Sequence, residues 1–195
     1  MARGKFIVLY GINNLGKTTQ AKKLNEKLNQ SGQTCEHIKY PMYALEPTGP
    51  IINEYLRQDN PYGLSAREAQ IFYTFNRFHY QPELQKKLDS GINIIAEDYI
   101  GTGIAWGMAK GVDKAFLQRI NQELLIPDLA ILMDGERFVS GIEKYHGHEN
   151  DNDLTNRARE AHLELKEDYH WPLINANQEI EQVESDIWKL VSPLF

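Results

Sequence analysis

The chain has 195 residues, 42% hydrophobic and 25% charged, which is enough for one packed core and short for two. A net charge of −6 argues against a surface that gathers nucleic acid or anionic lipid, so any phosphate ligand has to be held by local groups. The single cysteine, Cys35, excludes an intrachain disulfide, and no apolar run is long enough for a signal core or a membrane span, so we expect a cytoplasmic protein.

In chain order, strands are predicted at 5–10, 34–40, 92–97, 128–133 and 173–176. Between them helices are predicted at 18–30, 50–58, 65–89, 99–110, 113–125, 154–168 and 180–191. Strands alternating with helices imply βαβ units, an α/β fold with a parallel sheet covered on both faces. Ligands of such sheets bind beyond the carboxyl ends of the strands. The stretches that follow the strands are therefore the ones to search for chemistry.

After the first strand comes "GINNLGKTT", which fits G-x-x-x-x-G-K-S/T at Gly11, Gly16, Lys17 and Thr18. The glycines let backbone N–H groups converge on phosphate oxygens, and the following helix adds the positive end of its dipole. Asn13, Asn14 and Thr19 complete this ATP-binding loop; Lys17 supplies a cation and the Thr18 hydroxyl a ligand for Mg²⁺. Asp98-x-x-Gly101 has the form of a GTPase element, but no N-K-x-D segment exists to read guanine.

In "EAQIFYTFNRFHY", Tyr73 and Arg77 are four residues apart and share a helix face. A ring beside a guanidinium can stack on a base and hydrogen-bond its carbonyl edge. Phe72, Phe75 and Phe78 read as core or interface surface. "NIIAEDYIG" ends an apolar strand in two carboxylates, Glu97 and Asp98. Glu97 is placed to hold Mg²⁺ opposite Thr18. Because side chains alternate along a strand, Asp98 is expected to point away from Glu97, either outward at the start of the next helix or toward a second metal. His146, His148 and Glu149 read as polar lid residues rather than a transition-metal site.

At this point the chain resembles the thymidylate kinases, over nearly its whole length. The matching pieces are "GINNLGKTTQAKKLNEKL", "KYPMY", "GPIINEYL", "FYTFNRF", "LDSGINIIAEDYIGTGIAW", "IPDLAILMD" and "GHENDNDLTNRAREAHLEL". The resemblance implies one P-loop kinase domain over 1–195, a five-stranded parallel sheet of the P-loop NTPase fold, and a lid at about 137–155. It implies transfer of the ATP γ-phosphate to dTMP with Mg²⁺, in a homodimer with small-molecule nucleotides and no nucleic-acid or membrane partner. It puts Tyr40, Pro41 and Tyr99 in the acceptor pocket, Tyr73 and Arg77 on the base, and Trp106 against the sugar C2′. Thr18 and Glu97 would bind the metal, and Lys17, Glu97 and Lys144 would be catalytic.

The departures from the family are in charge. Glu97-Asp98 stands where the family has Asp-Arg, Asn13-Asn14 where one branch has Asp-Arg in the P-loop, and Tyr10 where many members have an acid. No basic residue lies between Lys39 and Arg57, where the family has an arginine. From 138 to 156 the only basic residue besides two histidines is Lys144. An arginine finger is worth about 10³–10⁵ in rate, so the deficit matters. Lys144, Arg137 or Arg157 reaching in from the lid, or a second metal on Glu97 and Asp98, would restore the charge. The alternatives are a deoxynucleoside kinase with Glu97 as base, or a catalytically weak nucleotide-binding protein.

Overall fold

A computed structural model describes residues 2–138 and 151–195. Five strands form one sheet: β1 (Phe6–Tyr10), β2 (Cys35–Lys39), β3 (Asn93–Glu97), β4 (Leu129–Asp134) and β5 (Leu173–Asn175). Their order is β2-β3-β1-β4-β5 and every pairing is parallel. The helices are α1 (Lys17–Gln30), α2 (Thr48–Arg57), α3 (Ala66–Asp89), α4 (Ile100–Ala109), α5 (Lys114–Asn121), α6 (Asn152–Tyr169) and α7 (Ile180–Val191). The expected α/β fold with a five-stranded parallel sheet is the observed one.

β1 and β3 are buried along their whole length, as strands covered on both faces must be. Side-chain alternation divides them between two cores. Ile7, Leu9, Ile95, Ile131 and Met133 face α1 and α7, meeting Leu24, Leu28, Val183 and Ile187. Phe6, Val8, Tyr10, Ile94 and Ala96 face the other way, onto Leu84 and Leu88 of α3 and onto Tyr99. A third cluster joins Ile104 and Ala105 of α4 to Leu117 of α5 and Leu165 of α6. The sheet register sets Glu97 beside both Leu9 of β1 and Lys39 of β2. The carboxyl ends of the three strands that precede the informative loops therefore open onto one crevice.

Local signals fix the helix ends. Ser65 and Glu68 cap each other at the start of α3, satisfying two otherwise orphaned donors. Asp151 accepts from the Leu154 amide and starts α6 two residues before the predicted boundary, within the expected lid. α5 stops at Asn121 rather than at 125, because the amide of Leu125 donates to Gln81 Oε1 of α3 and leaves the helical ladder. Among the described residues no helix is long and apolar enough to cross a membrane.

Candidate active site

The phosphate loop passes close over β4. A Cβ at Gly11 would sit 2.3 Å from the Met133 carbonyl oxygen, and the backbone there has φ of 133°, so only glycine fits. The buried Lys17 folds back over the loop, its Nζ donating to the carbonyls of Gly11 and Ile12 at 2.8 Å each. Asn13, Asn14, Gly16, Thr18 and Thr19 line the same cavity, about 610 Å³ in volume, which is ample for a nucleotide.

Glu97 ends β3 and is fully buried at the mouth of this loop. It accepts from Thr18 Oγ1 at 2.6 Å and from His37 Nε2 at 2.8 Å, and Lys39 Nζ lies 3.5 Å away. Burial alone would raise its pKa, but the hydrogen bonds from His37 and Thr18 and the charge of Lys39 outweigh that and bring it to about 2. An ionised carboxylate beside a hydroxyl at a phosphate loop is a donor set that fits Mg²⁺, which takes one or two protein oxygens and completes its shell with phosphate and water. No cluster of three or more acidic, histidine or cysteine side chains competes for a metal among the described residues.

Asp98 does not behave as the alternation expects. Its backbone is left-handed, φ 59°, and this reverses the side chain at the strand end. Asp98 is 9% exposed and turns into the cavity, where Thr102 Oγ1 donates to it at 2.9 Å and Lys17 Nζ lies 3.6 Å away. It is not turned out to solvent but shares the cavity with Glu97, as a counter-ion for Lys17.

At the other end of the cavity α3 presents Tyr73 and Arg77, both lining it. Arg77 is 4% exposed, and its NH1 donates to Asn121 Oδ1 of α5 at 3.0 Å. Helix α4 leaves room for it only because residue 103 is glycine: a Cβ there would be 2.1 Å from Arg77 NH2. The buried Tyr73 hydroxyl has no partner, and burial raises its pKa well above the ordinary value. Tyr40, Pro41, Tyr99 and Trp106 also line the cavity, with the Tyr40 and Tyr99 rings 5.0 Å apart. All the expected site residues except Gly11 and Lys144 thus line this crevice, and Gly11 carries the turn that shapes it.

The arginines expected to reach in from the lid are engaged elsewhere. Arg137 donates to Asn152 and Thr155 at the start of α6, at 3.1 and 3.4 Å, and Arg157 Nε donates to the Ala109 carbonyl at 3.0 Å. Arg159 grips Asp134 through two bonds of 2.6 and 2.8 Å. None of the three lines the cavity. Lys144, His146, His148 and Glu149 lie outside the described residues.

Besides Lys17 and Arg77, the cations that line the wall are the two ends of the window that holds no basic residue, Lys39 and Arg57. The Arg57 guanidinium lies 4.8 Å from the centre of the Tyr43 ring, and its NH1 donates to Asn53 at 2.8 Å. Sequence reasoning missed Lys39, Arg57, Gln70, Gly103 and Asn121. A Lys at the last residue of a predicted strand was a signal for the first; the others depend on helices meeting in space.

Comparison with known proteins agrees with this geometry. Residues 9–187 match the model of the family described as thymidylate kinase. A thymidylate kinase of Danio rerio is 29% identical over 95% of this chain and 88% of its own. One from Arabidopsis thaliana is 30% identical over 97% of this chain and 71% of its own. The solved structure of a thymidylate kinase from Candida albicans superposes with a TM-score of 0.82 at 26% identity, covering 100% of this chain and 93% of that one.

Proposed function

Because the chain belongs to the thymidylate kinase family, we propose that it transfers the γ-phosphoryl group of ATP to dTMP, giving ADP and dTDP. The observation that carries this reading is one cavity with a phosphate loop at one end and the Tyr73–Arg77 pair at the other. Lys17 exchanges the Gly11 and Ile12 carbonyls for the donor phosphates. Thr18 and Glu97 would hold Mg²⁺, which neutralises charge on the donor phosphates when bound. Tyr73 stacks on the base, Arg77 donates to its carbonyl edge, and Trp106 crowds C2′ so that a ribose 2′-hydroxyl is disfavoured. Lys39 and Arg57 supply positive charge on the acceptor wall. No general base is needed, since the acceptor oxygen is already anionic; catalysis is positioning and charge neutralisation.

Asp98 favours a second reading, because a carboxylate inside the cavity tolerates a neutral 5′-hydroxyl better than a phosphate. In that case Glu97 would act as base on a deoxynucleoside. Release of ADP measured with dTMP, dUMP, dCMP, dGMP and thymidine separates the two: turnover with dTMP and none with thymidine is expected, and the reverse pattern overturns the proposal. We read the chain as one kinase domain whose lid falls at about 137–155, working in the cytosol. A homodimer is also part of this reading, supported by Ile71 and Phe75 of α3, which stand 48% and 49% exposed on one helix face. A monomeric mass by light scattering at micromolar concentration would remove it.

A further inference from the structure

Gln70 has no place in the roles assigned above. It lies on α3 three residues before Tyr73 and seven before Arg77, so all three share one helix face, and all three line the cavity. It is 3% exposed and its amide oxygen is buried without a hydrogen-bond partner. A buried acceptor left open at the wall of a ligand cavity is unfavourable until a donor arrives.

Helix α4 fixes where that oxygen sits relative to Arg77. A Cβ at Gly103 would meet Arg77 NH2 at 2.1 Å, and one at Gly107 would meet the Gln70 carboxamide carbon at 3.3 Å. Gly103 and Gly107 are one helical turn apart, so the guanidinium and the carboxamide lie against successive turns of α4. Trp106 lies on the same stretch of α4 and lines the cavity with them. The wall therefore presents a donor and an open acceptor side by side along one stretch of the cavity, where they can face neighbouring positions on one edge of a pyrimidine.

We propose that Gln70 is a specificity residue whose amide oxygen accepts the N3–H of the acceptor base while Arg77 donates to its O4. The inference rests on the proposed dTMP kinase reading and adds how the base is chosen. Thymine and uracil present a carbonyl acceptor next to an N–H donor, which complements this pair. Cytosine presents an amino donor next to a bare nitrogen acceptor, so both contacts are mismatched. Discrimination of this kind is large because the wrong base leaves buried polar groups unpaired on both sides.

The test is made on binding, apart from turnover, by titrating the full chain with dTMP, dUMP and dCMP and observing the imino proton of dTMP labelled with ¹⁵N at N3. The wild-type protein is expected to bind dTMP and dUMP in preference to dCMP and to protect the imino proton from exchange. Gln70→Leu should weaken dTMP roughly 10- to 100-fold, remove most of the dTMP-to-dCMP ratio and lose the protected proton, with ATP affinity unchanged. Gln70→Glu, whose carboxylate only accepts, should keep the protected proton. Retention of the ratio in Gln70→Leu, loss of the proton in Gln70→Glu, or a parallel fall in ATP affinity overturns the assignment. A wild-type protein that binds dTMP without protecting the imino proton overturns the Gln70 assignment alone. One that does not bind dTMP at all overturns the kinase reading itself.

Discussion

Gly103→Ala tests the base end of the site with a single methyl group. Built on the existing backbone, the new Cβ stands 2.1 Å from Arg77 NH2 and 2.9 Å from both Cζ and NH1. Ordinary contact needs about 3.5 Å, so the guanidinium has to retreat by more than ~1 Å or α4 has to move. Arg77 is buried, and NH1 is tied to Asn121 at 3.0 Å, so it cannot swing freely. A retreat of that size breaks a charged hydrogen bond to the base, worth about 1.5–3 kcal/mol, or roughly 10- to 150-fold in affinity. The assay is steady-state kinetics with each substrate varied in turn: KM for dTMP should rise by that factor while KM for ATP stays within about twofold. Thermal unfolding of the same variant reports any overpacking, expected at about 1–3 kcal/mol. An unchanged KM for dTMP in a folded Gly103→Ala protein would refute the placement of Arg77 on the base.

Three further predictions follow from the same geometry. Glu97→Gln keeps the shape but removes the charge held by His37, Thr18 and Lys39, so kcat should fall about 10²–10³-fold and the Mg²⁺ concentration for half-maximal rate should rise; an unaltered Mg²⁺ dependence would move the metal elsewhere. Arg57→Ala should raise KM for dTMP about tenfold or more while leaving thymidine binding unchanged, since Arg57 is assigned to the phosphate and not to the base; equal weakening of thymidine would make Arg57 structural. Burial lowers the pKa of His162 from 6.5 to about 4, so the unfolded chain takes up the proton first. Its contribution is full above pH 6.5 and is lost as the pH falls toward 4, by about 3 kcal/mol; denaturant unfolding of wild type and His162→Gln between those limits should show the steeper slope in the former, by about that difference.

The sequence carried the sheet because each strand is a short apolar run bounded by turns, and it carried the phosphate loop because that loop is continuous in the chain. Tyr73 and Arg77 were legible for the same reason: four residues on one helix make a local pattern. Asp98 was not, because periodicity assumes the strand conformation continues, and a left-handed residue at its end turns the side chain round. Lys39 and Arg57 escaped a search along the chain since they approach the cavity from β2 and α2. Asn121 touches Arg77 across 44 positions of sequence, a separation that composition and spacing do not encode.

That contact between Asn121 and Arg77 has a consequence for how binding and folding share their entropy. A free arginine side chain loses about 2 kcal/mol of rotamer freedom when it is fixed. Here folding has already fixed it, so an incoming nucleotide meets a preorganised donor and does not bear that loss again. Asn121 also holds itself in place through Nδ2, which donates to the Leu117 carbonyl one turn earlier on α5 at 2.8 Å. It does not line the cavity. The rigidity with which the base is read is therefore set from outside the binding wall, and a substitution at position 121 would tune selectivity by loosening Arg77 while leaving every nucleotide contact chemically intact.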